Sequence, residues 1–210
     1  MNKLKIPTVL LLHGYLRTAR GMNYLKRFFI KNGFDTIVPT LPVTTAGIER
    51  CSALLYSILS GHSWETLHMV GHSSGGRIIL DILTRYDIPG IGNIVLISTP
   101  VNGSAAANFL SALPYADHFS RTLADLSVPA EKFPAGKKIG VIAAGTGMKF
   151  GFNPFISGDN DDLVAVSETR FNGMHDFVLR RFRLHQFVHK NAITANLVRN
   201  FLLTASFGNS

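Results

Sequence analysis

Residues 67–76 read Leu67-His68-Met69-Val70-Gly71-His72-Ser73-Ser74-Gly75-Gly76, and an apolar helical pattern follows, Ile78-Ile79-Leu80-Asp81-Ile82-Leu83. An apolar run, then G-x-S-x-G, then a helix is the order that a sharp strand-to-helix turn requires. Such a turn forces its central residue, Ser73, into strained backbone and holds the side-chain oxygen clear of the sheet. Gly71 and Gly75 flank it because a Cβ at either position would strike the neighbouring strand or helix backbone as the turn closes. Ser73 is therefore the candidate nucleophile. A plain Gly/Ser turn is the alternative reading, and the residues downstream decide between the two.

Outward from this stretch, short β-branched and apolar runs alternate with amphipathic segments. Strands are predicted at 8–12, 35–38, 67–70, 93–97, 138–143 and 177–184, and helices at 19–31, 45–60, 75–86, 192–203 and, less regularly, 103–126. Apolar strands, each followed by a helix, predict a mostly parallel α/β doubly wound sheet of six strands with helices on both faces. The 210 residues fit one domain, 1–210, able to bury about 70% of its unfolded surface without staples. The linker-like stretch 129–138 is read as internal, because a strand follows it.

Composition bounds the setting. The single cysteine, Cys51, cannot form an internal disulfide, so a cytoplasmic location is expected. The opening Met1-Asn2-Lys3-Leu4-Lys5 and the apolar residues after it have the order of a secretory signal, but the apolar stretch is short and lacks a small-residue cleavage site. It is read as the first core strand. No apolar run approaches the roughly 20 residues that span a bilayer.

Lys and Arg number 21 against 13 Asp and Glu, a net charge of +8. Such a surface attracts anions of any kind. The cations are scattered, with local groups at Arg17/Arg20/Lys26/Arg27/Lys31 and Arg180/Arg181/Arg183, and no nucleic-acid recognition pattern accompanies them. No nucleic-acid partner is expected. In a strand over 177–184, Arg181 and Arg183 would share one face and Arg180 the other, an arrangement that guards a sheet edge. Only weak, salt-sensitive membrane contact is expected from it.

In parallel sheets the chemistry sits at the carboxyl ends of the strands. His13-Gly14-Tyr15 opens the loop after the first strand, so Tyr15 N and Ser74 N can together form an oxyanion hole. His13 itself is read as a structural histidine that shapes the loop. A serine needs a general base, and the base needs an acid to set its tautomer. Asp159, Asp161 and Asp162 lie in a long loop after the fifth strand and could supply the acid; a cation site is the alternative for this cluster. His185, directly after the last predicted strand, is the base candidate. His189 falls at the edge of the final helix, His175 at the opposite end of the sheet, and His62, His68 and His118 read as ordinary surface or core histidines.

Four stretches now resemble the α/β-hydrolase superfamily, specifically its small lipase-like serine esterase branch. They are Leu12-His13-Gly14-Tyr15, Gly71-His72-Ser73-Ser74-Gly75-Gly76, Ser98-Thr99-Pro100-Val101-Asn102-Gly103-Ser104, and Asn160-Asp161-Asp162-Leu163-Val164 with His185. The family's acid loop reads N-D-G-x-V, which implies Asp161 as the triad acid and leaves Asp162 where glycine is usual. Leu16 likewise stands where relatives often carry a second glycine, and Val101-Asn102 replaces a more usual His-x. The resemblance implies ester hydrolysis through Ser73, Asp161 and His185, with Tyr15 and Ser74 amides as the oxyanion hole and His13, Gly14, Gly71, His72 and Gly75 in support. No metal or other cofactor is implied, and the expected partner is a small-molecule ester or lipid. Thioesterase, amidase and acyltransferase activities share these motifs, and a non-catalytic small-molecule or lipid-binding module is the remaining class. Residues 101–133 are expected to form an apolar wall or small cap, not a large lid, which suits soluble or short-chain esters.

Overall fold

The computed structural model describes residues 6–113 and 120–208. Six strands, β1 (Thr8–Leu12), β2 (Asp35–Ile37), β3 (Leu67–His72), β4 (Ile91–Ile97), β5 (Ile139–Gly145) and β6 (Asp176–Arg181), form one sheet in the order β2-β1-β3-β4-β5-β6. Every pairing is parallel, as the uninterrupted apolar runs predict. Six α-helices accompany them among the described residues: α1 (Asn23–Lys31), α2 (Ile48–Ser60), α3 (Ser74–Arg85), α4 (Ala105–Ser111), α5 (Arg121–Ser127) and α6 (Ala192–Thr204).

Strand residues alternate between two cores because successive side chains point to opposite faces. Leu10, Leu12, Met69, Ile94 and Leu96 pack against Cys51 and Leu55 of α2 and Ile78, Ile79 and Ile82 of α3. Val9, Leu11, Val70, Val95 and Ile97 pack against Leu25 and Phe29 of α1 and Val198 and Phe201 of α6. Phe29 and Phe201 are fully buried, each worth roughly 1.5–3 kcal/mol of hydrophobic stabilisation.

The chain runs from β1 outward to β2, then returns to lay β3 on the other side of β1, with Leu12 opposite Gly71. The segments leaving β1 and β3 therefore part in opposite directions and open a crevice at their carboxyl ends. His13 and Ser73 sit there, one residue beyond their strands.

Several element ends differ from the sequence reading. Residues 19–22 form a separate 3-10 turn before α1. α2 starts only at Ile48, because Gly47 has φ +81°, outside helical backbone. Where an irregular helix is expected over 103–126, the described residues form two short ones, each with its own serine cap: Ser104 Oγ accepts from Ala107 N at 3.2 Å and Ser120 Oγ from Leu123 N at 3.3 Å. Residues 114–119, His118 among them, lie outside the described residues. β6 stops at Arg181, since Phe182 turns to φ +53°. Arg183 thus lies beyond the strand and does not share a strand face with Arg181. No helix among the described residues is long and apolar enough to cross a membrane.

Candidate active site

Ser73 is the turn between β3 and α3, at φ +57° and ψ −128°, a backbone conformation costing about 1–3 kcal/mol for a residue other than glycine. Two hydrogen bonds hold it: Ser73 N donates to Ile97 O of β4 at 2.9 Å, and Gly76 N donates to Ser73 O at 3.0 Å. The neighbouring glycines are there for close approach. A Cβ on Gly71 would lie 2.5 Å from Gly76 backbone atoms, and one on Gly75 would lie 2.6 Å from Leu12 O and 2.7 Å from His13 O. A Cβ on Gly76 would overlap the Thr99 side chain, so the Ser98–Thr99 stretch packs directly behind the turn.

His185 and Asp161 meet in the crevice. His185 Nδ1 lies 2.9 Å from Asp161 Oδ2, and both residues are buried. A carboxylate there accepts a hydrogen bond from Nδ1–H, which fixes the tautomer whose other nitrogen, Nε2, carries the free lone pair. Val164 N, at 2.8 Å, and Leu163 N, at 3.3 Å, donate to the other oxygen, Asp161 Oδ1. The remaining loop carboxylates point elsewhere. Asp159 accepts from Thr146 N at 2.7 Å, Thr146 Oγ1 at 3.0 Å and Gly147 N at 2.9 Å, closing the turn after β5. Asp162 has φ +92°, so it keeps the left-handed backbone for which glycine is usual, and its Oδ1 accepts from His185 N at 3.3 Å. Burial, then the adjacent Asp161 charge, raises the Asp162 carboxyl pKa. No group of three or more His, Cys, Asp or Glu among the described residues is arranged to hold a metal ion.

Among the described residues no hydrogen bond joins Ser73 Oγ to His185; the two are linked through His72. His72 Nε2–H donates to His185 O at 3.0 Å, and its ring packs 4.7 Å from that of His185 and 4.1 Å from that of His189. His189 Nε2–H donates in turn to Gly21 O at 3.1 Å. Burial drives the His72 pKa well below its ordinary value and that of His189 down to about 3, so both are neutral at pH 7.

The loop after β1 closes the other side. A Cβ on Gly14 would sit 2.8 Å from Ser73 Cβ, so Gly14 alone lets the loop pass the serine. His13 is a fixed structural histidine: Nδ1–H donates to Gly14 O at 3.0 Å and Nε2 accepts from Leu41 N at 3.1 Å. Ser74 N opens α3 and Tyr15 N lies in the turn beside Gly14; neither donates to an acceptor among the described residues. Leu16, where a second glycine is usual, still takes left-handed backbone at φ +54°.

His62 is exposed, His68 Nδ1 accepts from Asn93 N at 3.0 Å, and His175 precedes β6 at the opposite sheet edge. Three residues have supporting places that the sequence reading did not assign them. Asn160 is fully buried, donating to the carbonyls of Asn153, Ile156 and Gly158 and accepting from Asn153 N and Asp162 N, which locks the acid loop. Arg77, in the first turns of α3, donates to Pro100 O, Val128 O and Asp125 O and so ties α5 and the residues after β4 to α3. A lone arginine inside an apolar helical run was the available signal, because a buried guanidinium demands acceptors. The third is His189, whose place under His72 no sequence periodicity indicates. Clefts of about 380 and 550 Å³ open among α2, α3 and α5, and neither includes Ser73, Asp161 or His185.

No protein-family model matches the sequence, and no curated protein matches it. Solved structures do. The mature form of Bacillus licheniformis lipase BlEst2 matches with a TM-score of 0.72 and 16% identity over 96% of this chain and 94% of that one, while the chain covers 51% of that lipase's propeptide form. A pyrethroid hydrolase from Sphingobium faniae JZ-2 matches at 0.67 and 12% identity over 95% and 98% of the two chains. The ydeN gene product from B. subtilis matches at 0.63 and 17% identity over 94% and 100%. The fold is the α/β-hydrolase fold.

Proposed function

We propose that this protein is a serine hydrolase of carboxylic esters, with Ser73 as nucleophile, His185 as general base and Asp161 as its orienting acid. The observation that carries the reading is the 2.9 Å Asp161–His185 contact, buried beside a serine held at φ +57°. His185 Nε2 takes the Ser73 proton as Oγ attacks the ester carbonyl. Tyr15 N and Ser74 N receive the oxyanion, with the positive end of the α3 dipole behind Ser74. His185 then protonates the departing alcohol, and water, deprotonated by the same imidazole, releases the acid from the acyl-enzyme. The names of the structural neighbours, a lipase and a pyrethroid hydrolase, favour an ester over a thioester or amide.

A fluorophosphonate probe tests the reading, because it labels only an activated serine. Labelling is expected in the native protein and absent in Ser73→Ala. An unlabelled native protein would sink the proposal in favour of a binding module. A p-nitrophenyl ester series of increasing acyl length then ranks substrates.

A further inference from the structure

Eight large apolar side chains among the described residues stand exposed in the loops that follow β1, β5 and β6, the most exposed being Leu16, Met148, Phe150, Phe155 and Phe182, with Phe187 half-exposed. Phe155 is 94% exposed and Phe150 72%. Two of them are also held in backbone that favours glycine, Leu16 at φ +54° and Phe182 at φ +53°. A leucine or phenylalanine in that region is disfavoured by its own Cβ, and a side chain left in water recovers nothing from burial. Both side chains are mostly exposed, so the fold recovers little from either residue against that backbone cost.

The loops form one surface around the Ser73 crevice. Arg17 Nη2 donates to Gln186 Oε1 at 3.4 Å, joining the first loop to the last. Asp161 joins the middle loop to His185, and Gly147 lies against the Arg181 side chain. Cations interleave with the apolar groups: Lys149 sits over the Phe150 ring and Lys190 over the Phe187 ring. Every carboxylate of these loops is engaged internally: Asp159 with Thr146 and Gly147, Asp161 and Asp162 with His185, and Glu168 with the amides of Ala105 and Ala165. The exposed acids of the described residues, Asp35, Glu49, Glu65, Asp87 and Glu131, all lie outside these loops.

We infer that this edge docks on an anionic lipid surface, with the phenylalanines and Leu16 entering the headgroup boundary and Arg17, Lys149, Arg181 and Lys190 facing its phosphates. Interleaved aromatic groups and cations without free carboxylates match such a surface, and a contact patch spread over three loops exceeds what one small substrate covers. The inference deepens the ester-hydrolase reading, since it delivers lipid-borne esters to Ser73. Charge alone would give weak, salt-sensitive contact; the apolar groups add a part that salt does not screen.

Vesicle sedimentation tests it, with Ser73→Ala protein so that turnover cannot erode the lipid. Binding is expected to phosphatidylcholine vesicles containing phosphatidylglycerol, weaker but retained at high salt, and little to phosphatidylcholine alone. Phe155→Ser and Phe182→Gly are each expected to reduce partitioning about tenfold. Phe182→Gly is also expected to leave the melting temperature unchanged or raised, because glycine relieves the left-handed backbone. Binding to neither vesicle, unchanged binding by both variants, or a self-associated dimer that does not bind vesicles would overturn the inference. Fluorophosphonate labelling of the native protein reports on the ester-hydrolase reading separately, since docking needs no active serine.

Discussion

Asp161 holds His185 twice: its side-chain Oδ2 lies 2.9 Å from the imidazole Nδ1, and its backbone carbonyl accepts the His185 N–H at 2.8 Å. One residue thus anchors the His185 backbone and orients its ring, and the imidazole cannot turn away without breaking the side-chain contact. Asp162, one position on, reaches only the backbone amide of His185.

For the triad, Ser73→Ala and His185→Ala are each expected to lower ester hydrolysis by about three orders of magnitude or more, with the double variant little worse, because the groups act as a unit. Circular dichroism should show an unchanged fold. Turnover surviving His185→Ala would remove His185 as base.

Among the acids, Asp161→Asn should cost most activity, since an amide can stabilise neither the tautomer nor the imidazolium. Asp162→Asn should be mild, and Asp162→Gly should retain turnover because φ +92° suits glycine. Asp159→Asn should lower the melting temperature more than it lowers kcat, as its partners are Thr146 and Gly147, not His185. Equal losses at 161 and 162 would break the assignment.

Acid sensitivity follows from the buried histidines. His189 is lowered from 6.5 to about 3 by burial, then by the Lys190 charge, so between these values the unfolded chain binds a proton that the folded chain refuses. Stability is fully present above pH 6.5 and falls as pH drops toward 3. At pH 5 the loss from His189 alone is about 2 kcal/mol relative to pH 7. Urea titrations of the native protein and His189→Gln across this range should converge as pH falls; parallel curves would show that His189 does not carry the effect.

Arg77→Met removes the donor to three carbonyls and should destabilise by about 2–4 kcal/mol in chemical denaturation. An unchanged denaturation midpoint would mean that the loops after β4 find other partners.

The local order of residues determined much of this on its own. The strand-to-helix turn at Ser73 and the strand beginning at Thr8 were legible because each rests on short-range chemistry: a glycine demanded by a close approach, an apolar run, a turn. Where the reading failed, the cause was local backbone chemistry that periodicity does not encode: the reversal at Phe182, which ends β6 early, or the serine caps that start α4 and α5. Spacing alone left three carboxylates open for one role, and only the resemblance singled out Asp161. Tertiary structure shows which of them lies against the His185 ring, because a hydrogen bond across 24 residues depends on how β5 and β6 lie side by side and not on local spacing. The same holds for the stacked rings of His72, His185 and His189, and for the exposed ring of Phe155, since a side chain's neighbours and its solvent are properties of the folded surface alone.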